Sequence, residues 1–396
     1  MVDYFKEGTE SEKKINKKKI LITSIISILL ITIGIVSAIY ISNRNFRDWI
    51  DSYILRKNIQ ENDASFIELN AEENPQVYAY DKYIAILNRN TLSLYNHSGK
   101  TEKDVKVEVS SPIFESNNRF LAVAQKEGNK IYLLSGKDMV WEKEVEGSIN
   151  RVHVNKNGYV SVILSGTTYK TVIVTFNPDG TELFKNFLSK SRAIDVCISN
   201  DNKYLAVAEI NTSGSLIQSR VKIFSMEKAQ SETEKENAEL YTYTPDNDEL
   251  IINVKYQEKG KLVCLYYDCV KMIQEGKEEE LFNTKDQKVI FADIELTDFV
   301  VKVVEKSTGL FKASAVVELM NVSTKKENIY TLDSVPKSIY CYDNVIAINL
   351  GTEVHFINTN GWLVKKYISS QEVKNIIMCS NIAGIVYRDK IEIIHL

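Results

Sequence analysis

Residue types that build catalytic and metal sites are scarce in this chain. Its 396 residues include 4 His, and no two of these stand at the spacing of metal ligands. The sequence contains no HExxH, no GxSxG and no glycine loop of the kind that cradles phosphate. We therefore expect no catalytic residue, no metal ligand and no cofactor, and the chain is predicted not to be an enzyme.

Cysteine is also sparse. The chain has 5 Cys, an odd number, and their positions lack the regular spacing of a disulfide framework. Cys264 and Cys269 are close enough in sequence to pair or to bind a metal ion, but no second Cys/His pair accompanies them. The favoured interpretation is that both are free thiols in neighbouring strands, where a thiol behaves as a small hydrophobic side chain.

An excess of basic charge is missing as well. The chain carries 49 Lys+Arg against 53 Asp+Glu, a formal net charge of −4 at pH 7. Proteins that bind nucleic acids present clustered positive charge to the phosphate backbone. The composition therefore argues against a nucleic-acid partner.

What the sequence does contain is one long apolar run, because no charged side chain occurs from Ile20 to Asn43. At about 1.5 Å per residue, a helix over 20–42 crosses a hydrocarbon core of about 30 Å. Basic residues cluster before it, between Lys13 and Lys19. This pattern predicts a single-pass plasma-membrane protein with a cytoplasmic tail over 1–19 and an extracytoplasmic domain over 64–396.

A cleaved signal peptide is the alternative to this span. Val36-Ser37-Ala38 offers the small residues that a signal peptidase accepts, with cleavage after Ala38. The apolar core is longer than a signal peptide requires and continues from Ile39 to Ile41. These two features favour a retained span in contact with the lipid bilayer.

An amphipathic stretch over 43–60 follows the span. Its apolar residues recur at helical spacing and would share one face of a helix: Phe46, Trp49, Ile50, Tyr53 and Ile54. An aromatic stripe beside a span is typical of the lipid–water boundary, so we predict a short helix at the membrane interface. The alternative is that the stripe packs against the protein's own globular domain.

Beyond residue 62 the apolar period changes from 3.6 to 2, and turn residues recur between short strands. Two of the turns are Asn96-His97-Ser98-Gly99 and Asn177-Pro178-Asp179-Gly180, each directly after an apolar strand. Asn, Asp and Gly favour tight hairpins because they tolerate positive φ. The pattern therefore predicts an all-β domain built from repeated hairpins.

Four strands take roughly forty residues before the pattern starts again, as in a blade of a propeller. Counting the sets over 64–396 predicts a β-propeller of eight four-stranded blades. Seven blades are the alternative, because 227–240 and 271–280 interrupt the pattern. The polar segment 226–239 is predicted to be a solvated loop between strands.

The last set contains only three strands, so a fourth must come from elsewhere in the chain. Residues 65–69 form an unpaired strand candidate near the start of the domain. Pairing of this strand with the last set, with Phe66, Ile67 and Leu69 as the ring-closure residues, would close the ring and remove two exposed sheet edges.

Two phrases of the sequence carry a family likeness. SNDNKYLAVA over 199–208 resembles WD-repeat-like bacterial β-propellers, and SGKDMVWEKEV over 135–145 resembles the repeat of quinoprotein-like propellers. With its Lys-rich tail, span and amphipathic stretch, the chain resembles an uncharacterised family of membrane-anchored propeller proteins from Gram-positive bacteria. The resemblance implies a membrane-anchored propeller and no particular activity.

Two classes of function follow from these features. The first is a non-catalytic interaction scaffold of the bacterial cell envelope, in which the tether raises the effective concentration of an envelope protein or peptide partner. The alternative is a propeller enzyme, or a glycan- or small-molecule-binding protein, that acts on cell-wall material. Convergent carboxylates, Arg or His at the channel mouth would favour the alternative, and an exposed apolar-aromatic patch would favour the scaffold.

Overall fold

The computed structural model describes most of the chain, namely residues 17–42, 50, 65–166, 168–214, 217–231, 233–245, 249–285, 287–307 and 313–396. The chain divides into two compact units, Met1–Lys57 and Asn58–Leu396. In the first unit, helix α1 (Lys17–Ser42) is long and apolar enough over Ser24–Ile41 to cross a membrane. No other helix among the described residues meets that criterion.

The second unit is a β-propeller of eight four-stranded antiparallel blades, which confirms the predicted fold and blade number. From the inner to the outer strand, blades 1 to 4 consist of β2 (Gln76–Tyr80), β3 (Tyr83–Asn88), β4 (Thr91–Tyr95) and β5 (Thr101–Lys106); β6 (Pro112–Asn117), β7 (Phe120–Gln125), β8 (Lys130–Ser135) and β9 (Asp138–Glu144); β10 (Ser148–Val154), β11 (Val160–Ser165), β12 (Thr171–Phe176) and β13 (Glu182–Leu188); and β14 (Ser191–Ile198), β15 (Tyr204–Asn211), β16 (Gln218–Ser225) and β17 (Glu239–Tyr243).

The remaining four blades have the same order. They consist of β18 (Ile251–Tyr256), β19 (Leu262–Tyr266), β20 (Cys269–Gln274) and β21 (Lys277–Asn283); β22 (Val289–Asp293), β23 (Phe299–Ser307), β24 (Ala313–Asn321) and β25 (Glu327–Leu332); β26 (Ser338–Tyr342), β27 (Val345–Asn349), β28 (Glu353–Asn358) and β29 (Leu363–Ile368); and β30 (Asn375–Cys379), β31 (Ile382–Val386), β32 (Lys390–His395) and β1 (Ser65–Glu68).

The eighth blade joins the two ends of the propeller. Strand β1 pairs antiparallel with β32, with Ser65 opposite Ile393 and Glu68 opposite Lys390. The closing strand lies against the turn of the first blade, where a Cβ on Gly99 would stand 2.8 Å from the Phe66 carbonyl oxygen. Gly99 has a φ of +72°, so both its backbone conformation and its surroundings require glycine.

Position within a blade explains the composition of each strand. The second strand is covered on both faces by neighbouring blades, and β3 and β31 accordingly read YIAILN and IAGIV with almost every side chain buried. The outer strand β5 reads TEKDVK and buries only Val105. The apolar core therefore lies between the blades, in a series of clusters around the ring.

Asparagine side chains hold the hairpin turns that marked the repeat. The Asn96 Oδ1 atom accepts hydrogen bonds from the backbone N–H groups of Ser98 (2.9 Å) and Lys100 (3.1 Å). Asn358 makes the same pair of bonds to Asn360 and Trp362 in blade 7. These Asx turns explain why Asn begins the turns in different blades.

The segment 226–239 differs from its prediction. It contains a short helix α2 (Met226–Gln230) and a 3-10 turn (Lys235–Asn237), and it buries Met226, Ala229 and Ala238 against the core. The solvated-loop prediction is confirmed for 233–237, which are exposed, and is wrong for 226–230 and Ala238, where small or flexible apolar side chains anchor the segment to the core.

Candidate functional site

Two sets of residues were predicted to have a role, one at the membrane interface and one in ring closure. Of the membrane-interface set, Phe46, Trp49, Tyr53 and Ile54 lie outside the described residues, and Ile50 is half-buried. The ring-closure residues belong to β1 and the turn after it. Ile67 is buried in the core between blades 8 and 1, Leu69 packs against that core, and Phe66 is 58% exposed.

A cavity of about 600 Å³ lies along the inner strands of the propeller, where the central channel runs. The first seven blades contribute side chains from the inner strand or from the turn that follows it, for example Tyr78, Glu115 and Tyr340. Because these strands converge on one axis, residues far apart in sequence meet in this cavity. It falls in the size range of about 300–1,000 Å³ that is usual for ligand sites.

Acidic side chains outnumber basic ones in the channel wall. The acidic residues are Asp81, Glu115, Asp195, Glu258, Asp293, Glu295 and Asp343, and the basic residues are Arg151, Lys156 and Lys255. The wall also carries His153. Carboxylates, an Arg and a His thus converge in the channel, which is the feature expected of a propeller enzyme or of a glycan- or small-molecule-binding propeller.

Each basic side chain already has a carboxylate partner on another blade. The Arg151 Nε atom lies 2.7 Å from Asp195 Oδ1, and the Lys255 Nζ atom lies 2.9 Å from Glu295 Oε2. Asp195 also accepts a hydrogen bond of 2.9 Å from the backbone N–H of Val254. These contacts link neighbouring blades in pairs around the channel.

Glu115 and His153 face each other without a hydrogen bond. The His153 Nδ1 atom lies 3.9 Å from Glu115 Oε1, which is too long for one. Glu115 makes no side-chain hydrogen bond to another described residue. The buried Nε2 atom of His153 also lacks a partner within the described part of the chain.

Burial controls the protonation of both groups. It raises the pKa of Glu115 to about 8, and the carboxylates of Glu295 and Asp195 add to this shift. It lowers the pKa of His153 to about 4. Although 39% of the Glu115 side chain is accessible to water, the channel wall surrounds it and governs its ionisation. Near pH 7 both groups are therefore largely neutral.

Two further carboxyls of the wall ionise at a higher pH than usual. Burial raises the pKa of Asp195 to about 6 in spite of Arg151. Burial and the charge of Glu295 raise the pKa of Asp293 to about 6. The channel thus becomes more negative as the pH rises from 5 to 8.

Thiols near the channel are poor nucleophiles. The Cys197 Sγ atom accepts a hydrogen bond of 3.2 Å from the Tyr256 N–H, and burial raises the pKa of Cys197 and of Cys341 far above the usual range. All five cysteines are free. A thiolate is the reactive form, so neither thiol in the wall is suited to attack a substrate at neutral pH.

A second group of possible metal ligands lies on blade 5. Ligand atoms of Glu249, Asp268 and Cys269 lie within 4.8 Å of one another. The Lys271 Nζ atom lies 2.5 Å from Glu249 Oε2 and already provides a cation there. Burial raises the pKa of Cys269 to about 12, which disfavours the thiolate that a metal ion requires.

Sequence reasoning missed the channel residues. A usable signal was present for some of them, because Glu115, Asp195 and Lys255 are charged residues within inner strands that also carry apolar residues, namely PIFESN, SRAIDVCI and IINVKY. A charge in such a strand needs a polar space to face. What the sequence does not reveal is which of these charges, spread over 115–295, face one another.

The family model that matches this sequence spans residues 55–396 and describes a family of unknown function, DUF5711. The chain belongs to this family. No curated protein matches the sequence. Family membership thus covers the whole propeller and assigns it no activity.

Solved propeller structures resemble the fold of this family member. Sqt1 from Chaetomium thermophilum, bound to the N-terminus of the ribosomal protein L10, shares 10% identity at a TM-score of 0.53, covering 85% of this chain and 100% of that chain. AztD from Citrobacter koseri has 9% identity and a TM-score of 0.48, covering 75% and 86%. BamB from Moraxella catarrhalis has 14% identity and a TM-score of 0.47, covering 84% and 96%. At these identities the likeness shows the fold alone.

Proposed function

We propose that this protein is a non-catalytic binding propeller of the bacterial cell envelope, and that a segment of an envelope protein or peptide enters its central channel. The observation that carries the proposal is the cavity of about 600 Å³ on the inner strands. That volume admits a few side chains, and a folded partner would have to insert a loop or a terminus. A propeller in complex with a protein terminus has a precedent in the Sqt1 structure.

The arrangement of charges favours binding over catalysis. General acid–base and nucleophilic catalysis require a base within hydrogen-bond reach of the group it activates. In the channel the basic groups are engaged in pairs, for example Arg151 with Asp195 and Lys255 with Glu295. Such pairs orient a bound segment without activating a nucleophile.

Photo-crosslinking tests whether the channel is the binding site. We would place a photoreactive phenylalanine at Tyr342, which lines the cavity, in the full-length protein expressed in its host. Tyr241, 53% exposed on the outer strand β17, is the matched control. A partner crosslinked from position 342 and not from 241 supports the proposal. Crosslinks from 241 alone would place the binding surface outside the channel.

We further propose that α1 anchors the propeller to the outer face of the plasma membrane. The length and apolar composition of this helix support the proposal. In wall-stripped cells, added protease should remove a C-terminal tag from the intact protein. A protected tag would reject the orientation, and a mature protein beginning at Ile39 would show that the span is cleaved.

The proposed interfacial helix over 43–60 has a separate test. If its aromatic face lies at the lipid–water boundary, the emission maximum of Trp49 in the full-length protein should change with the surrounding amphiphile. It should differ between phospholipid liposomes and micelles of a detergent without a phospholipid headgroup. Trp141 and Trp362 would be replaced by Phe to isolate the signal. An emission maximum that is insensitive to the lipid environment would favour packing against the protein itself.

A propeller enzyme that acts on cell-wall material is the second candidate. The observation that favours it is the meeting of Glu115 and His153 in one cavity, since a protonated carboxyl beside a neutral imidazole provides an acid and a base. Incubation of the protein with purified wall material, followed by mass spectrometry of released fragments, separates the candidates. Fragments that disappear in the Glu115→Gln variant would support the enzyme.

A further inference from the structure

The strongest unexplained feature of the channel is the gap between Glu115 and His153. Buried polar atoms in native proteins are nearly always hydrogen-bonded. Here the buried His153 Nε2 atom has no partner within the described chain. The Glu115 carboxyl, which is 39% exposed to the channel, lies near His153 Nδ1 without a hydrogen bond to it. These two side chains come from the inner strands β6 and β10 of adjacent blades and line one cavity.

The spacing of these groups fits one donor atom between them. The Glu115 Oε1 and His153 Nδ1 atoms are 3.9 Å apart. A nitrogen placed about 2.8 Å from each would see them at an angle of about 90°, which the N–H bonds of an ammonium group can approach. With Nδ1 unprotonated and Glu115 ionised, as it is above about pH 8, both atoms accept, so the group that fits between them is a donor.

Charge selects the kind of donor. Seven acidic side chains line the cavity against three basic ones, and all three basic side chains have a carboxylate within 4.0 Å. An entering anion would find no unengaged cation among these lining residues. An entering cation would find Glu115 without a positive partner.

Aromatic side chains also line this cavity. Tyr78 and Tyr340 line the same cavity, and the Tyr78 ring stacks on Phe114 with centroids 5.2 Å apart. Tyrosine faces attract ammonium groups and cover alkyl chains. The wall therefore suits a positive charge on an apolar stem better than a bare metal ion.

We propose that the channel binds an alkylammonium group, with Glu115 and His153 as its acceptors and the Tyr78 side as cover for its alkyl chain. The proposal rests on the proposed function and names the chemistry of the entering segment. The group is a lysine side chain of a partner segment or a free alkyl amine, which share this chemistry.

Calorimetry with the full-length protein in detergent micelles tests the ligand class. The probes are the peptide acetyl-Gly-Lys-Gly-amide, the same peptide with an acetylated lysine side chain, and 1,5-diaminopentane. Binding of the lysine peptide and not of its acetylated form is the expected result and favours a protein source. Binding of the diamine alone supports an alkylammonium ligand and indicates that it is a free amine rather than a lysine side chain. Binding of neither, or equal binding of both peptides, overturns the proposal.

The variant Glu115→Gln tests the acceptor. At pH 9, where Glu115 is ionised, the substitution should raise the Kd of the binding probe at least tenfold, as expected for loss of a charged hydrogen bond. Glu144→Gln is the control, since Glu144 is exposed on the outer strand of the same blade. An unchanged Kd in Glu115→Gln would overturn the assignment.

The pH dependence of the wild type gives an independent readout that needs no variant. The ammonium group binds the ionised carboxylate, so affinity should rise about tenfold from pH 7 to pH 9 as Glu115 loses its proton near pH 8. The titratable and charged groups that act on Glu115 are His153, Arg151, Asp195, Lys255, Glu295, Tyr78 and Tyr340. Asp195 ionises near pH 6, below this window. A flat profile would count against Glu115.

The two proposals fail separately. A partner crosslinked from position 342 without any amine binding would keep the channel as a binding site and reject the alkylammonium group. Amine binding without a crosslinked protein would keep the chemistry and indicate a small-molecule ligand.

Discussion

Two glutamates seven residues apart show how strongly this fold separates its environments. Glu108 precedes the second blade and Glu115 lies in its inner strand, and their side chains are 38% and 39% exposed. The Lys106 and Lys130 ammonium groups, 2.5 and 2.9 Å away, hold the pKa of Glu108 at about 2. The pKa of Glu115 rises to about 8.

Glu108 and Glu115 are almost equally exposed, yet their pKa values shift in opposite directions. The accessible area of the side chain therefore does not determine its ionisation. Glu108 is bound by two cations in open solvent, whereas Glu115 is enclosed by a wall that also carries other carboxylates. The exposed connection between blades 1 and 2 therefore tolerates this charge freely. Inner strands hold charge at a cost in stability, which is typical of sites retained for binding.

The largest effect is expected when a carboxylate is placed in the apolar core, where it has neither a cation beside it nor a water-filled channel to face. Ile67 is 4% exposed in the core between blades 8 and 1, so Ile67→Asp should destabilise the propeller by more than about 3 kcal/mol or prevent folding. Phe66→Asp is the control, because its side chain is 58% exposed on the opposite face of β1. Denaturant unfolding of both variants measures the difference. Equal stability would contradict the role of β1 in closing the ring.

A smaller effect is expected from breaking an ion pair in the wall. Asp195→Ala removes the partner of Arg151 and the acceptor of the Val254 N–H, and should cost about 2–3 kcal/mol. Glu182→Ala breaks the exposed pair with Lys185 and should cost less than about 0.5 kcal/mol. Thermal melts at pH 7 would compare them. Equal losses would show that the channel pair contributes no more than a surface pair.

The smallest effects are shifts in the pH dependence of the melting temperature. A raised pKa such as that of Glu115 adds stability below pH 4.5 that is lost as the pH rises through about 8. A lowered pKa such as that of Glu108 adds stability above pH 4.5 that is lost as the pH falls through about 2. Glu115→Gln should therefore flatten the profile between pH 5 and 8, and Glu108→Gln below pH 4.5. If both variants changed the pH dependence of the melting temperature over the same pH range, the opposite pKa shifts of Glu108 and Glu115 would be contradicted.

Most of the fold was predictable because it repeats. Eight sets of strands and the Asn-led turns were visible in the sequence, since local hydrogen bonds such as those of Asn96 need only neighbouring residues. The short helix α2 was not predicted, because its stability comes from Met226 and Ala229 packing on the core rather than from its own five residues.

The candidate site was less accessible to sequence reasoning. Charged residues in apolar inner strands were visible one at a time, but their meeting depends on the closure of the ring. Glu115 and His153 come from different blades, and the electrostatic effect of Glu295 on Glu115 comes from another blade again. Their protonation states follow from that enclosure.

Period, turn chemistry and strand count are properties of neighbouring residues, and they alone determined that this chain forms eight blades after one apolar helix. The channel, its excess of carboxylates and the unusual pKa of Glu115 are properties of residues that meet only when β1 pairs with β32 and seven inner strands converge. Electrostatic energy depends on distance and enclosure in space, which a one-dimensional pattern does not contain.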